Sequence, residues 1–363
     1  MMRMVFIFGL FLLGSCQQKV ETTTAVSAKT TMAQVWAAEK AQSWYDRQKW
    51  IVGANFIPSS AINQLEMWQA DSFDTTTISK ELGWARDIGF NTIRVYLHHK
   101  AWEADKSGFI NRIDQYLSIA DANGIKTIFV IFDDCWNKDG KTGPQPAPKP
   151  GVHNSGWLQD PGDPYSKDSA NFPQLELYVK AVIGHFKDDQ RILLWDLYNE
   201  PGNSGKGESS LPLLTKAFTW AREVNPSQPV SAGLYDWNQE KMNRFMIEHS
   251  DVITYHDYDD EAWHRRVIEV LKTHGKPMIC TEYMARTRGS KFENILPLLK
   301  EKKVGAINWG LVAGKTNTIY AWDAPMPDGK EPQVWFHDIF RKDGSVFDPR
   351  ETTLIKSLTG KNP

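Results

Sequence analysis

Eight short apolar runs alternate with helical patterns between residues 50 and 309, and this alternation constrains the fold more than any other feature. Most runs are continuously apolar and rich in β-branched or aromatic residues, as expected of parallel strands covered on both faces. They are Trp50–Phe56, Asn91–Leu97, Ile125–Phe132, Arg191–Tyr198, Pro229–Tyr235, Asp251–His256, Lys276–Glu282 and Val304–Trp309. The pattern predicts a single-domain (β/α)8 barrel. A doubly wound open sheet, the competing architecture, requires a glycine-rich turn after the first strand, and residues 55–60 contain no glycine.

Amphipathic patterns fill the gaps between these runs. In residues 108–123, Ile110, Ile113 and Leu117 share one helical face, and Gly124 ends the helix. The other predicted helices are 76–88, 173–187, 209–224, 239–248, 261–274 and 292–301.

The connection at residues 133–171, between the third strand and the next helix, is unusually long. It contains the segments GPQPAPKPG and SGWLQDPGDPY, whose proline and glycine density excludes a helix. Loops of this length in a compact domain are usually functional, and a loop that follows a barrel strand lies on the catalytic face. We therefore expect this loop to form one wall of a substrate cleft.

The composition indicates a globular protein and argues against several classes of function. Hydrophobic residues make up 41% and charged residues 24%, which excludes disorder over most of the chain. The formal net charge of −2 gives no basic field, so nucleic acid is not an expected partner. No G-x-S-x-G motif or metal-ligand spacing is present, and we expect neither a metal nor a cofactor.

Residues 1–16 resemble a bacterial lipoprotein signal peptide. Arg3 precedes the apolar run Val5–Leu13, which is too short to span a bilayer but long enough for a signal-peptide core. The run leads into LGSC, which resembles a lipobox. That resemblance implies cleavage before Cys16 and lipid attachment to its sulfur, and hence a lipid anchor in the bacterial cell envelope, at the outer membrane or facing the periplasm. Plain secretion, with Cys16 incidental, is the alternative.

Residues 17–33 are polar and rich in Thr, Ala and Ser, and they predict a flexible tether ahead of a barrel domain at 34–363. Within that domain, Cys135 and Cys280 fall on strands at opposite sides of the barrel. We therefore expect two free, buried thiols and no disulfide. We expect the protein to be monomeric.

Two glutamates stand where barrel chemistry takes place, at the carboxyl ends of strands. Glu200 ends the fourth predicted strand and Glu282 ends the seventh, on nearly opposite walls of one barrel mouth. A carboxylate pair of this kind suits glycoside hydrolysis, because one group protonates the leaving oxygen while the other attacks or activates water.

The segment WDLYNEP at 195–201 resembles the Asn-Glu-Pro motif that ends strand four in clan A retaining glycoside hydrolases, closest to the cellulase-like family 5. The resemblance covers roughly residues 50–345. It implies that Glu200 is the general acid/base, that Glu282 is the nucleophile, and that Asn199 hydrogen-bonds the sugar 2-hydroxyl. Glu200 must start protonated, and burial together with the negative charge of Glu282 should raise its pKa.

The same resemblance assigns four supporting residues. Arg94 lies beside the nucleophile, His256 and Tyr258 form a His-x-Tyr pair after strand six, and Trp309 lies under the sugar in subsite −1. A guanidinium and a tyrosine hydroxyl next to the nucleophile favour its ionised form. The alternatives are a structural ion pair of Arg94 with Asp196, a rim position for His256, and core packing for Trp309.

The sequence departs from the family pattern near the end of strand three. Family members commonly carry a histidine there that contacts the subsite −1 sugar, and this chain has DDCW at 133–136. His98 and His99 are the candidates to replace it. The tryptophans in or near the loops that follow strands are candidate sugar platforms, and they are Trp68, Trp102, Trp136, Trp157 and Trp237.

Together these features predict a surface-tethered retaining hydrolase of a β-linked poly- or oligosaccharide, with endo action favoured over exo action. Two alternatives share most of the residues. One is a non-catalytic glycan-binding lipoprotein on a decayed barrel. The other is a transglycosylase, which differs only in its acceptor.

Overall fold

The computed structural model describes residues 34–163 and 165–361. The predicted signal peptide (1–16) and tether (17–33), including the proposed lipid attachment site Cys16, lie outside these residues. In the described part of the chain, no helix has the length and hydropathy that crossing a bilayer requires.

Within the described residues, nine parallel strands form a nearly closed barrel, which confirms the predicted (β/α)8 fold. The strands are β1 (Val52–Asn55), β2 (Thr92–Tyr96), β3 (Lys126–Asp133), β4 (Ile192–Asn199), β5 (Val230–Ser231), β6 (Gly233–Leu234), β7 (Ile253–His256), β8 (Met278–Glu282) and β9 (Gly305–Asn308). Their hydrogen-bonded order is β5-β4-β3-β2-β1-β9-β8-β7-β6. The fifth predicted strand is divided at Ala232, so that β5 pairs with β4 and β6 pairs with β7.

The predicted helices all form, with ends within about two residues of those expected. The described helices are α1 (Ala38–Asp46), α2 (Gln64–Trp68), α3 (Thr75–Asp87), α4 (His99–Ala104), α5 (Lys106–Ala122), α6 (Phe172–Phe186), α7 (Leu211–Val224), α8 (Glu240–His249), α9 (Glu261–Lys272), α10 (Phe292–Glu301) and α11 (Pro349–Thr359). The sequence patterns did not predict α1, α2, α4 or α11. Helices α2 and α4 have only five and six residues, too few to show a helical period.

Local chemistry explains where several helices begin and end. The side chains of Asp74 and Asp260 accept hydrogen bonds from backbone N–H groups in the first turns of α3 and α9. After α5, Gly124 adopts a φ of 67°, a left-handed conformation that costs glycine little.

The barrel interior changes from apolar to polar along the strands. Ile128, Leu194, Ile279 and Ile307, from four different strands, pack in one buried cluster. Side chains two residues apart on a strand point to the same side, so the side chain that follows Leu194 toward the carboxyl end is Asp196. An apolar plug therefore lies beneath a layer of buried polar groups at the barrel mouth.

Candidate active site

Glu200 and Glu282 face each other across the barrel mouth from the ends of β4 and β8. A carboxylate oxygen of one lies within 4.8 Å of a carboxylate oxygen of the other. The two residues are only 9% and 4% exposed. The two carboxyl groups are therefore close enough to act on one glycosidic bond.

Glu282 is surrounded by hydrogen-bond donors. Nη1 of Arg94 and the hydroxyl of Tyr96 donate to its Oε1, at 2.8 and 2.7 Å. The hydroxyl of Tyr258 donates to its Oε2 at 2.8 Å. A guanidinium charge and hydroxyl donors stabilise a carboxylate, which is the form that a nucleophile needs.

Arg94 is fully buried and connects the nucleophile to β4. Its Nη2 donates to Oδ2 of Asp196 at 2.8 Å and to Oδ1 of Asn199 at 2.6 Å, and its Nη1 also donates to Oδ1 of Asn55 at 2.8 Å. The predicted support of Glu282 and the alternative ion pair with Asp196 therefore both occur. These contacts fix the side-chain orientation of Asn199, whose Oδ1 is already engaged.

Glu200 occupies a strained backbone position. Its φ of 45° lies in the left-handed region, where a non-glycine residue costs on the order of 1–3 kcal/mol and where functional residues are often found. Asp134, at the start of the loop after β3, binds the segment that follows Glu200. It accepts hydrogen bonds from Gly202 N at 2.8 Å, Lys206 Nζ at 2.5 Å and Ser210 Oγ at 2.5 Å.

The surroundings of Glu200 favour a protonated acid. Burial raises its pKa, and hydrogen bonds from the Cys135 thiol and the Asn203 amide partly oppose that effect. Nδ1 of His256 lies 2.6 Å from Oε1 of Glu200. Burial lowers the pKa of His256 to about 4, so the imidazole is neutral at neutral pH and can accept a hydrogen bond from the protonated carboxyl group.

A cavity of about 410 Å³ lies over the two carboxylates, within the range of about 300–1,000 Å³ usual for ligand sites. It is lined by Cys135, Trp136, His153, Asn154, Trp157, Asn199, Glu200, Asn203, Ser204, Tyr258, Glu282, Trp309, Trp322 and His337. Five of these residues belong to the 133–171 loop. The prediction that this loop forms one wall of the cleft is therefore confirmed.

The loop reaches the cavity because it folds back on β3. Asp133 and Asp160 exchange backbone hydrogen bonds of 2.6 and 2.8 Å. The indole N–H of Trp157 donates to Oδ2 of Asp133 at 2.7 Å, and the Asn199 amide donates to Oδ1 of the same carboxylate at 2.9 Å. Burial raises the pKa of Asp133 to about 7. Asp133 and Asp134, the two aspartates by which this chain departs from the family pattern, therefore both hold parts of the site in place: Asp133 binds Trp157 and Asn199, and Asp134 binds the segment after Glu200.

Among the tryptophans predicted to bind sugar, three line the cavity. Trp309 and Trp157 meet edge to face, with ring centroids 5.5 Å apart. Trp136 is 41% exposed at the cavity rim. Trp309 lines the cavity together with both glutamates, and its role as the floor of subsite −1 stays a prediction.

The prediction was wrong for Trp68 and Trp102, which are buried in the core. Each lies in a short helix that was not predicted, α2 or α4, and that helix turns its ring inward against Phe109 or Tyr178. Trp237 is partly buried against the core and does not line the cavity in the described part of the chain.

His98 and His99 do not replace the strand-three histidine of the family. Both are fully buried beside Asp160, whose Oδ2 accepts a 2.9 Å hydrogen bond from His99 N. Instead His153 and His337, from the loops after β3 and β9, contribute imidazoles to the cavity.

Sequence reasoning also missed Tyr96, Trp322 and His337. Tyr96 had a usable signal, because it lies two residues after Arg94 on one strand and must therefore share its side of the sheet. Trp322 and His337 lie in a long irregular segment after β9, where the sequence has no periodicity from which the direction of a side chain could be predicted.

In the part of the chain that the structure describes, two groups of side chains have the spacing to hold a metal ion: Glu200 with His256 and Glu282, and His98 with His99 and Asp160. In the first group, the Arg94 guanidinium 2.8 Å from Glu282 already supplies the positive charge that a cation would bring. In the second group, His99 Nδ1 is hydrogen-bonded to Asp160. These contacts favour carboxylate chemistry at the first group and a structural role for the second.

The comparisons with known proteins agree with this geometry. Residues 52–314 match the model of a family described as Cellulase (glycosyl hydrolase family 5). A curated relative, the mannan endo-1,4-beta-mannosidase F of Aspergillus clavatus, is 24% identical over 226 residues. That match covers 54% of this chain and 50% of the relative, so the chain aligns with only about half of the relative's length.

Solved structures with the same fold include the endo-beta-1,4-mannanase of Thermotoga petrophila, with a TM-score of 0.56 and 15% identity over 87% of this chain and 77% of that one. They also include an exo-beta-1,4-mannosidase from an Opitutaceae bacterium, with a TM-score of 0.59 and 14% identity over 85% of this chain and 59% of that one. At these identities the likeness shows the barrel fold.

Proposed function

The chain belongs to glycosyl hydrolase family 5, and we propose that it hydrolyses β-1,4-linked mannosides with retention of anomeric configuration. The approach of the Glu200 and Glu282 carboxylates to within 4.8 Å, in unlike surroundings, carries the proposal. Burial raises the pKa of Glu200, while three donors stabilise the carboxylate of Glu282. Unlike surroundings of this kind assign one carboxyl group as acid and the other as nucleophile.

In the first step, an oxygen of Glu282 attacks the anomeric carbon while Glu200 gives its proton to the glycosidic oxygen. The bond from the anomeric carbon to that oxygen breaks, and the leaving sugar departs as an alcohol. A covalent glycosyl ester of Glu282 remains. Asn199, oriented by Arg94, lines the same cavity, and we infer that it binds the 2-hydroxyl of the sugar under attack.

In the second step, Glu200 works as a base. Glu282 is now a neutral ester, so its negative charge no longer opposes ionisation of Glu200. Glu200 takes a proton from water, the water oxygen bonds to the anomeric carbon, and Glu282 leaves as a carboxylate. Two inversions at one carbon give net retention.

The mannoside assignment takes its support from the curated relative, which acts on mannan by name. That relative is an endo enzyme by name, whereas one structural neighbour is an exo-beta-1,4-mannosidase. Family membership therefore leaves both modes of attack open. The predicted preference for endo action is compatible with the curated relative.

The proposal is tested with 4-nitrophenyl β-glycosides of mannose, glucose and xylose, together with the corresponding β-1,4-linked polysaccharides. Proton NMR of the first hemiacetal formed should show the β anomer before mutarotation. Binding without turnover on every substrate would support the non-catalytic alternative. Transfer to an added sugar that exceeds hydrolysis would support the transglycosylase.

We also propose that the enzyme is lipid-anchored through Cys16 in the cell envelope. The support is the LGSC sequence after a short apolar run, in residues outside the described structure. Expression in a bacterial host with radiolabelled palmitate should label the protein and send it to the membrane fraction. The Cys16→Ala variant should lose both properties. Labelling that survives in this variant would remove the proposal.

A further inference from the structure

The loops after β3 and β9 are hydrogen-bonded to each other above the barrel mouth. The backbone N–H of Asn154 donates to the Thr316 carbonyl oxygen at 2.8 Å. Nδ1 of His153 lies 2.8 Å from the carbonyl oxygen of Tyr320. We call these two segments, residues 149–154 and 315–326, the bridge.

The bridge is closely packed along its length. Met326 N donates to the carbonyl oxygen of Gly151 at 2.9 Å, and the Asn317 amide donates to that of Lys149 at 2.9 Å. A Cβ atom on Gly151 would lie 1.6 Å from the Met326 oxygen, so only glycine permits this approach. The two segments are therefore in direct backbone contact at Gly151 and Met326.

The bridge is also fastened to the loop that follows β1. Lys315 N donates to the Ser59 carbonyl oxygen at 3.2 Å, and Lys315 Nζ pairs with Glu66 at 2.5 Å. The loops after β1, β3 and β9 therefore form one continuous wall on this side of the mouth.

Little space remains between this wall and the floor of the site. A second cavity, also lined by Trp309 and Trp157, measures about 20 Å³, which is room for about one water. Its other lining residues include Phe56, Thr316 and Asp338, all buried. A sugar unit does not fit in this cavity.

The cavity is open to solvent next to the general acid. On the bridge side, Asn154 and His337 are at most 1% exposed. Beside Glu200, Trp136 is 41% exposed and Ser204 lies at the surface. The leaving group must lie next to Glu200, which protonates it, and it therefore has an open path to solvent.

Two buried polar atoms on the bridge side point to what the closed end binds. Asn154 Oδ1 and His337 Nε2 have no hydrogen-bond partner among the described residues, although both residues line the cavity. Buried polar atoms are normally satisfied. Hydroxyl groups of a terminal sugar, which carries a free hydroxyl where a longer chain would carry another sugar, supply suitable partners.

We propose that the enzyme is exo-acting and removes one sugar at a time from the non-reducing end of a β-1,4-linked oligosaccharide. This inference rests on the proposed glycosidase function and goes against the endo preference predicted from the sequence. The sugar over Trp309 has the bridge behind it, and Asn154 and His337 bind its free hydroxyls.

The first experiment uses the wild-type enzyme and three hexasaccharides labelled at the reducing end, β-1,4-linked mannohexaose, cellohexaose and xylohexaose. Early products are sized by mass spectrometry. Exo action predicts a monosaccharide and labelled pentasaccharide as the only initial products. Initial labelled di- to tetrasaccharides would overturn the exo inference and leave the glycosidase proposal intact. If neither the hexasaccharides nor the aryl glycosides are cleaved, both the exo inference and the glycosidase proposal are overturned.

A second experiment tests the closed end itself. Asn154→Ala should lower kcat/KM at least tenfold on the substrate that is cleaved, because it removes a contact to the terminal sugar. Gln145→Ala is the matched control, since this amide lies in the same loop and its partners are Asn63, Lys141 and Gly143, outside the cavity. It should retain wild-type activity. Both variants are first checked for a wild-type melting temperature. Unchanged activity in folded Asn154→Ala would contradict the assigned role.

Discussion

The Sγ atom of Cys135 lies 3.2 Å from Oε2 of Glu200, so the thiol donates a hydrogen bond to the general acid. Burial raises the pKa of the Cys135 thiol well above its usual value, which keeps the proton in place. A donor favours the ionised form of a carboxyl group. The thiol therefore lowers the pKa of Glu200, against the larger effect of burial.

This contact predicts a pH effect in Cys135→Ala. The general acid must be protonated, so kcat/KM falls as pH rises through the pKa of Glu200, which burial holds above the ordinary value of 4.5. Loss of the thiol removes an effect that lowers this pKa, so the alkaline limb should move to higher pH. Cys280→Ala, at the other buried free thiol of the described residues, should leave the limb in place. A shift to lower pH would contradict the assignment.

The buried pair of Asp134 with Lys206 should matter for stability as well as activity. Both side chains are at most 5% exposed, and Asp134 holds the segment that follows Glu200. Removing one partner of a buried ion pair typically costs about 3–5 kcal/mol. We expect Asp134→Ala to lower the free energy of unfolding by that amount, measured by urea denaturation.

The control for this measurement is Glu208→Ala. Glu208 forms an exposed ion pair with Lys241, and such pairs contribute at most about 1 kcal/mol. Equal losses of stability in the two variants would mean that Asp134 does not fasten the loop that carries the acid.

Trp136 and Trp68 should respond to alanine substitution in opposite ways. Trp136 is half-exposed at the cavity rim, so Trp136→Ala should leave stability nearly unchanged and raise KM by about tenfold, about 1.4 kcal/mol of binding. Trp68 is a core residue, so Trp68→Ala should lower the free energy of unfolding by about 3–5 kcal/mol. An unchanged KM in Trp136→Ala would exclude the indole as a sugar platform.

The barrel could be predicted because each of its strands is short, apolar and local in sequence. Strand β3 and helix α5, for example, follow from residues 106–133 without reference to the rest of the chain. The positions of Glu200 and Glu282 followed in turn, because the carboxyl ends of barrel strands converge at one mouth. Among the described strands, β5 and β6 are the exception, as two halves of one expected strand.

The rest of the site could not be predicted because it depends on pairings between distant loops. His153 and Tyr320 are joined although they lie 167 residues apart, and neither segment has a regular period. The inward direction of Trp68 depends on a five-residue helix, which is too short to be predicted from periodicity. Irregular segments reveal their side-chain directions only through such contacts.

The configuration of azide products tests the central assignment most directly. In Glu200→Ala, a dinitrophenyl glycoside of the preferred sugar needs little protonation, so the covalent intermediate should form and accumulate. Azide needs no base, and it should restore turnover and give the β-glycosyl azide. Acid–base help is typically worth about 10²–10⁴-fold, so the rescue is measurable. In Glu282→Ala, azide should attack the opposite face and give the α-azide. Exchanged configurations between the two variants would contradict the assignment of Glu200 as acid/base and Glu282 as nucleophile.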